Sequence, residues 1–207
     1  FPTRRSSDLD AQAEDAPPGS RSLVFLPYLI GERCPFADPT ARGAFIGLTL
    51  QHNHADLTRS VFEGVVFSLR HVFDVMRSLD GGMAVSEIRT SGGGAVSHLW
   101  RQIQADVFQL PVKTVSGGKE GGAYGACLVA GVGCGLWSDI EEAVEALTVE
   151  TENLPNPILR DFYEELYGVY SGLYATLKPS FDAMARLEPF LEQRAGADDH
   201  AVSTQTR

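Results

Sequence analysis

No apolar run in this 207-residue sequence approaches the roughly 18 to 20 residues that a membrane-spanning helix needs. Cysteine is scarce. Cys34, Cys127 and Cys134 are odd in number, far apart and in no C-x-x-C pairing. That argues against a disulfide framework or a structural zinc site, and fits a reducing cytoplasm. Positive charge is in short supply: 17 Lys and Arg stand against 27 Asp and Glu, for a net charge of -10. So acidic a chain does not suit the phosphate backbone of nucleic acid. It also lacks the basic clusters that hold proteins to anionic lipid surfaces. The G-x-G-x-x-G, P-loop, G-x-S-x-G and H-E-x-x-H patterns are missing, and so is a catalytic Cys/His pattern. There is no internal repeat and no low-complexity tract.

What is present describes a globular protein. Hydrophobic residues make up 43% and charged residues 21%, enough for a core in one sizeable domain or two small ones. The first nine residues, FPTRRSSDL, have no apolar h-region and are not a secretory signal. They resemble a translated sequencing adapter, which implies a natural product extending upstream; the alternative is a natural disordered tail. Residues 10–20, DAQAEDAPPGS, read as a polar Pro/Gly loop.

Periodicity organises the remainder. Ser22–Ile30 and Ala44–Leu50 read as short strands around the Pro-rich loop 31–42. Leu57, Val61, Val65, Leu69, Val72, Met76 and Leu79 then step by three and four, which predicts one buried face of a long central helix. Asn53 with Asp56 is its N-terminal cap, and Gly81-Gly82 its end. Val85–Thr90 reads as a strand. A helix follows with Leu99, Ile103, Val107 and Leu110 on one face, stopped by Pro111. Val112–Val115 is a short strand, and 121–130 a helix of small residues. Ser138 with Glu141 reads as a capping box. Asn156-Pro157 opens a long helix with Ile158, Phe162, Leu166, Val169, Leu173 and Leu177 inward, kinked or ended at Pro179. The alternation over 85–131 is that of an α/β fold.

Two glycine clusters carry the strongest local signal. Ser91-Gly92-Gly93-Gly94-Ala95 lies between a predicted strand and a helix, where glycine lets the backbone approach a ligand closely. Ser97 and the N–H groups at the helix start would face an anion. Gly117-Gly118-Lys119-Glu120-Gly121-Gly122 occupies a second strand-to-helix junction. Side by side, the two turns would form a shallow pocket at the ends of parallel strands, the place where open α/β sheets bind ligands. A plain tight turn, and small-residue helix packing, would produce the same glycines. His52 and His54 read as a surface pair at a helix start rather than a metal site. Glu32-Arg33 is a charged pair that could hold its loop or reach a partner.

Longer stretches resemble one family. Gly43-Ala44-Phe45-Ile46-Gly47-Leu48, seven spacer residues, then Asp56-Leu57-x-x-Ser60-Val61-Phe62-Glu63 match the C-terminal signature of the FGGY carbohydrate kinases. FLPYLIGERCP (25–35), DPTARG (38–43), EGVVFSL (63–69), SGGGAVSHLWRQIQADVFQLPV (91–112) and EGGAYGACLVAGVG (120–133) are similar to that family too. The resemblance spans about residues 21–187, with Cys34 where Thr is usual. It looks most like the members that phosphorylate D-xylulose, and gluconokinase-like members share much of it.

The resemblance implies the C-terminal half of a two-domain, actin-like (ribonuclease H-like) kinase. This domain would be residues 21–192, between segment 1–20 and a disordered tail at 193–207. It would bind ATP with Mg²⁺ through the adenosine motif at Gly92, Gly93, Gly94, Ala95, Ser97 and His98. The sugar and the catalytic Asp would belong to an N-terminal domain whose motifs are not in this sequence, so this chain alone would be inactive. Neither nucleic acid nor membrane is an implied partner, the location is the cytoplasm, and a homodimer is left open. A stand-alone nucleotide-binding domain without catalysis is the competing reading.

Overall fold

The computed structural model describes residues 6–79, 84–118 and 121–204, with side chains described for those between 8 and 187. In chain order the elements are α1 (Ser6–Glu14), β1 (Val24–Leu26), β2 (Ala44–Ile46), α2 (His54–Ser78), β3 (Ile88–Arg89), α3 (His98–Phe108), β4 (Val112–Val115), α4 (Gly122–Gly133), α5 (Ile140–Glu145), β5 (Val149–Asn153) and α6 (Arg160–Thr204). β1 and β2 form an antiparallel pair. β4 lies between β3, which runs parallel to it, and β5, which runs antiparallel. Strand β5 was not expected, and residues 10–20 are not simply a loop. Helix α1 runs through Glu14, and Ala13, Ala16 and Ser20 are buried.

The cap predicted for the central helix is present. The Asn53 side chain accepts from the N–H groups of Ala55 and Asp56, and Asp56 accepts in return from the Asn53 N–H. The expected end at Gly81-Gly82 lies outside the described residues. The expected inner face, however, is not the buried one. Leu69, Met76 and Leu79 are 47%, 44% and 64% exposed. The face that is closed off carries Asp56, Arg59, Ser60, Glu63, Val66 and Phe67. Burial of its polar residues is tolerable because they are satisfied. Glu63 accepts from Gly19 N–H (2.7 Å), Ser20 Oγ (2.8 Å), Arg59 Nε (2.9 Å) and Tyr163 Oη (2.8 Å). Burial works against the Arg59 charge, but Glu63 and Tyr163 together outweigh it and hold the guanidinium above its usual range. Burial, reinforced by Glu63, also pushes the Tyr163 phenol well above its usual range. Gly64 lets β1 close on this helix: a Cβ there would stand 2.2 Å from the Phe25 carbonyl oxygen.

The inward face of α6 is only partly the expected one: Leu166 is buried and Leu173 and Leu177 pack against the core. Tyr163, Leu166, Tyr167 and Tyr170 are buried against Phe67, whereas Ile158 and Val169 are exposed. The tyrosine rings share the buried face with these leucines and take the places expected of Ile158, Phe162 and Val169. The helix does not end at Pro179. Proline removes one main-chain donor there, while Phe181, one turn past Lys178, is buried and anchors the helix again. At its other end the Asn156-Pro157 cap is present as expected. The cap of α5 is shifted by one residue: Asp139 accepts from Glu142 N–H, and Ser138 bonds Glu142 rather than Glu141. The expected tail at 193–207 lies beyond the residues whose side chains are described.

The 31–42 loop is tied to α6 by charge. Asp38 accepts from Thr40 N–H and Oγ1 and from Tyr174 Oη, and pairs with Lys178. The Thr40 hydroxyl, with the other donors, outweighs burial and holds the Asp38 carboxyl far below its usual range. Lys178 and Thr40 hold Asp182 low as well. A carboxyl depressed in the folded state contributes stability above its unfolded pKa and loses it as pH falls toward the folded value. Stability should therefore drop as pH falls below about 4. Urea unfolding at a series of pH values is expected to show a shallower acid slope in Asp38→Asn than in the parent chain. Equal slopes would mean that the cluster does not couple to folding.

Candidate functional site

The two glycine turns meet. β3 and β4 run parallel, and the turns that follow them are joined by a hydrogen bond from Gly92 N–H to the Gly118 carbonyl at 2.9 Å. Gly92 has φ of 81°, a left-handed conformation that favours glycine. From it the chain makes a short 3₁₀ turn, Gly93–Val96, that leads into α3. Cβ atoms built at Gly92 and Gly93 would meet nothing within 4 Å, so this backbone is open to an approaching molecule. A Cβ at Gly94 would lie 3.4 Å from the Trp100 indole.

Of the cavities that flank the turn, two share Val96. The first, about 240 Å³, is walled by Gly92, Ala95, Gly118 and the side chains of Arg101, Thr114, Glu150 and Thr151. The second, about 400 Å³, is more apolar and is walled by Gly93, Gly94, Ser97, Trp100, Phe62 and the α1 residues Leu9 and Asp10. Five of the six residues nominated from the sequence thus line one cavity or the other. The sixth, His98, is exposed on the first turn of α3 and is in neither lining. The Ser97 hydroxyl is already engaged as the helix cap, accepting from Trp100 N–H at 3.1 Å.

Sequence reasoning missed Arg101, Thr114 and Thr151. Thr114 and Thr151 face each other across β4 and β5 with their hydroxyls 2.7 Å apart. They were missed because β5 was missed, since only pairing with β4 gives that polar segment its place. Arg101 stands in the quoted LWRQIQAD stretch, but the spacing of α3 drew attention only to its aliphatic face. Lys119 and Glu120 of the second cluster lie outside the described residues. His52 is held by Thr49 and the Arg21 carbonyl. Among the described residues no three His, Cys, Asp or Glu side chains stand together as metal ligands. No described helix is long and apolar enough to cross a membrane.

A parallel strand pair whose paired glycine turns open on a cavity is the arrangement of a nucleotide- or anion-binding α/β domain. The comparisons with known proteins give the family. Residues 3–134 match the model of the C-terminal domain of the FGGY family of carbohydrate kinases, and the chain belongs to that family. The xylulose kinase of Staphylococcus epidermidis is 40% identical over 161 residues, covering 77% of this chain and 32% of that protein. The ligand-bound crystal structure of xylulose kinase from Lactobacillus acidophilus superposes with a TM-score of 0.79 at 32% identity, over 89% of this chain and 37% of that one. Gluconate kinase from the same organism gives a TM-score of 0.78 at 31% identity, covering 88% and 37%. The fold is the actin-like ATPase fold of this family's C-terminal domain. The chain spans about a third of the length of the curated relatives it resembles.

Proposed function

We propose that this chain is the nucleotide-binding part of an ATP-dependent sugar kinase acting on a pentulose, D-xylulose first. The observation that carries the reading is the Gly92–Gly93 turn, joined to Gly118 and open where side chains would otherwise stand. In this reading the adenine nucleotide lies against Gly92–Val96, between the two cavities. Bound ATP supplies the phosphoryl group, and Mg²⁺ would enter with its phosphates rather than on a cage of this chain. The chain's own contribution is to hold and orient the nucleotide, which is most of what phosphoryl transfer asks of a protein. The sugar and the base that takes its proton would be held by the rest of the kinase. The working domain, expected from the sequence as residues 21–192, would take in α1 as well, since Leu9 and Asp10 line the second cavity and Ala13 is buried. It would act in the cytoplasm. With a net charge of -10, neither nucleic acid nor anionic membrane is a proposed partner. A gluconate-phosphorylating parent is the second reading, favoured by the nearly equal match to gluconate kinase.

The test uses the purified chain labelled with ¹⁵N. ADP should shift the amide signals of Gly92–Val96 and Gly118, and xylulose should shift none. ATP should not be consumed with xylulose, because no residue of this chain is assigned as the base. Shifts confined to other regions would overturn the placement. Xylulose phosphorylation by this chain alone would overturn the division of labour.

A further inference from the structure

We infer that Arg101 is a positioning residue for the glycine turn, setting the turn's shape for its ligand through the carbonyls of Ala95 and Val96. The inference rests on the nucleotide reading above. A turn containing Gly92 and Gly93 has little to hold it from within. Glycine restricts the backbone least, so such a turn samples many shapes unless something outside selects one. Its internal bonds are Ala95 N–H to Gly92 O and Ser97 N–H to Gly94 O, both 3.1 Å. The carbonyls of Ala95 and Val96 are left over, and Arg101 Nη1 donates to both.

Arg101 is itself held. It is only 7% exposed, and its Nε donates to Asn153 Oδ1 at 2.9 Å. Asn153, 4% exposed at the end of β5, donates to Gln102 Oε1 at 3.0 Å. Gln102 donates to Asp106 Oδ1 and to the Leu154 carbonyl, each at 2.9 Å, and Asp106 accepts from Asn156 N–H at 2.7 Å. A chain of hydrogen bonds thus runs from the glycine turn to the cap that starts α6. It accounts for the polar residues Gln102 and Asp106, which line neither cavity, and ties them to Arg101. Among the described residues Arg101 makes no ion pair, so its donors serve main-chain and amide acceptors and no carboxylate competes for the fork. Lysine cannot take the same place. One ammonium group cannot span two carbonyls and an amide as a planar guanidinium does.

The test compares the parent chain, Arg101→Lys, Asn153→Ala and the double variant, with ADP as the probe and amide spectra recorded well below each melting temperature. In free Arg101→Lys the Gly92–Val96 amides should already be displaced. Its affinity for ADP should fall about tenfold or more, as expected when a charge-assisted contact is lost. Asn153→Ala, which touches no ligand, should weaken ADP about threefold through the released guanidinium, and the double variant should be no worse than Arg101→Lys, since both act on one contact chain. If the single variants melt earlier but bind ADP as the parent does, or if their effects simply add, the positioning role is overturned. Should Arg101→Lys fail to fold, Asn153→Ala decides by the same measure: unchanged ADP affinity overturns the role. If the parent chain does not respond to ADP at all, the nucleotide reading fails, and this inference with it.

Discussion

Glu63→Ala should be the most damaging single substitution in the polar interior. It removes the acceptor that four donors share, and it strands Arg59, whose side chain is 7% exposed. Breaking a buried ion pair from one side costs about 3–5 kcal/mol, because the remaining charge stays buried without its partner. Native domains have about 5–15 kcal/mol of stability, so much of the total would go. The melting temperature should fall by on the order of 10 °C. The four donors come from Gly19, Ser20, the same helix and α6, so the loss should appear as a cooperative failure of the whole chain. Glu63→Gln keeps an acceptor oxygen and should lose less. Urea unfolding followed by tryptophan fluorescence measures both. A loss below about 1 kcal/mol for Glu63→Ala would show that this network contributes little beyond an ordinary hydrogen bond.

Gly93→Val should have the largest effect on binding with the smallest effect on folding. A Cβ at Gly93 meets nothing within 4 Å, and the residue is not in the left-handed region, so the folded chain can accept it. Its stability should change by less than about 1 kcal/mol, as at an ordinary surface site. If a nucleotide lies against that backbone, the added isopropyl group occupies its place, and ADP affinity should fall by more than about tenfold, which is only about 1.4 kcal/mol of lost contact. In an intact kinase carrying this domain, the same change should raise the KM for ATP and leave the KM for sugar nearly unchanged. Gly92→Ala makes a poorer test, because its positive φ mixes backbone strain with any loss of contact. A folded Gly93→Val chain that binds ADP like the parent would remove the turn from the nucleotide site.

The signature segment has a physical meaning that its pattern does not display. Asp56 closes the cap of α2 and receives Arg21, while Ser60 Oγ bonds the Leu57 carbonyl. Glu63 gathers the segment before β1 and helix α6. These residues assemble the domain and stand away from the glycine turn, except Phe62, which packs edge-on to Trp100 at a centroid distance of 5.8 Å. Their role is to seat α2 so that the elements bearing the site can pack on it.

Local chemistry was enough for some features. The Asn53–Asp56 and Asn156–Pro157 caps, the face of α3 with Leu99, Ile103 and Val107, and the glycine turns after β3 and β4 each depend on residues a few positions apart. Such features are written in one stretch of chain and can be read there. The tertiary structure alone decided which face of α2 is buried. A helix face carrying Asp56, Arg59 and Glu63 looks like a solvent face until Gly19, Ser20, Arg21 and Tyr163 arrive from far along the chain to satisfy it. The same holds for β5, a polar segment that becomes a strand by pairing with β4, and for Arg101, whose partners Ala95 and Asn153 lie on opposite sides of it in sequence. Hydrophobic periodicity registers apolar burial only. Burial of polar groups depends on partners distant in sequence, and their arrival is a property of the folded chain.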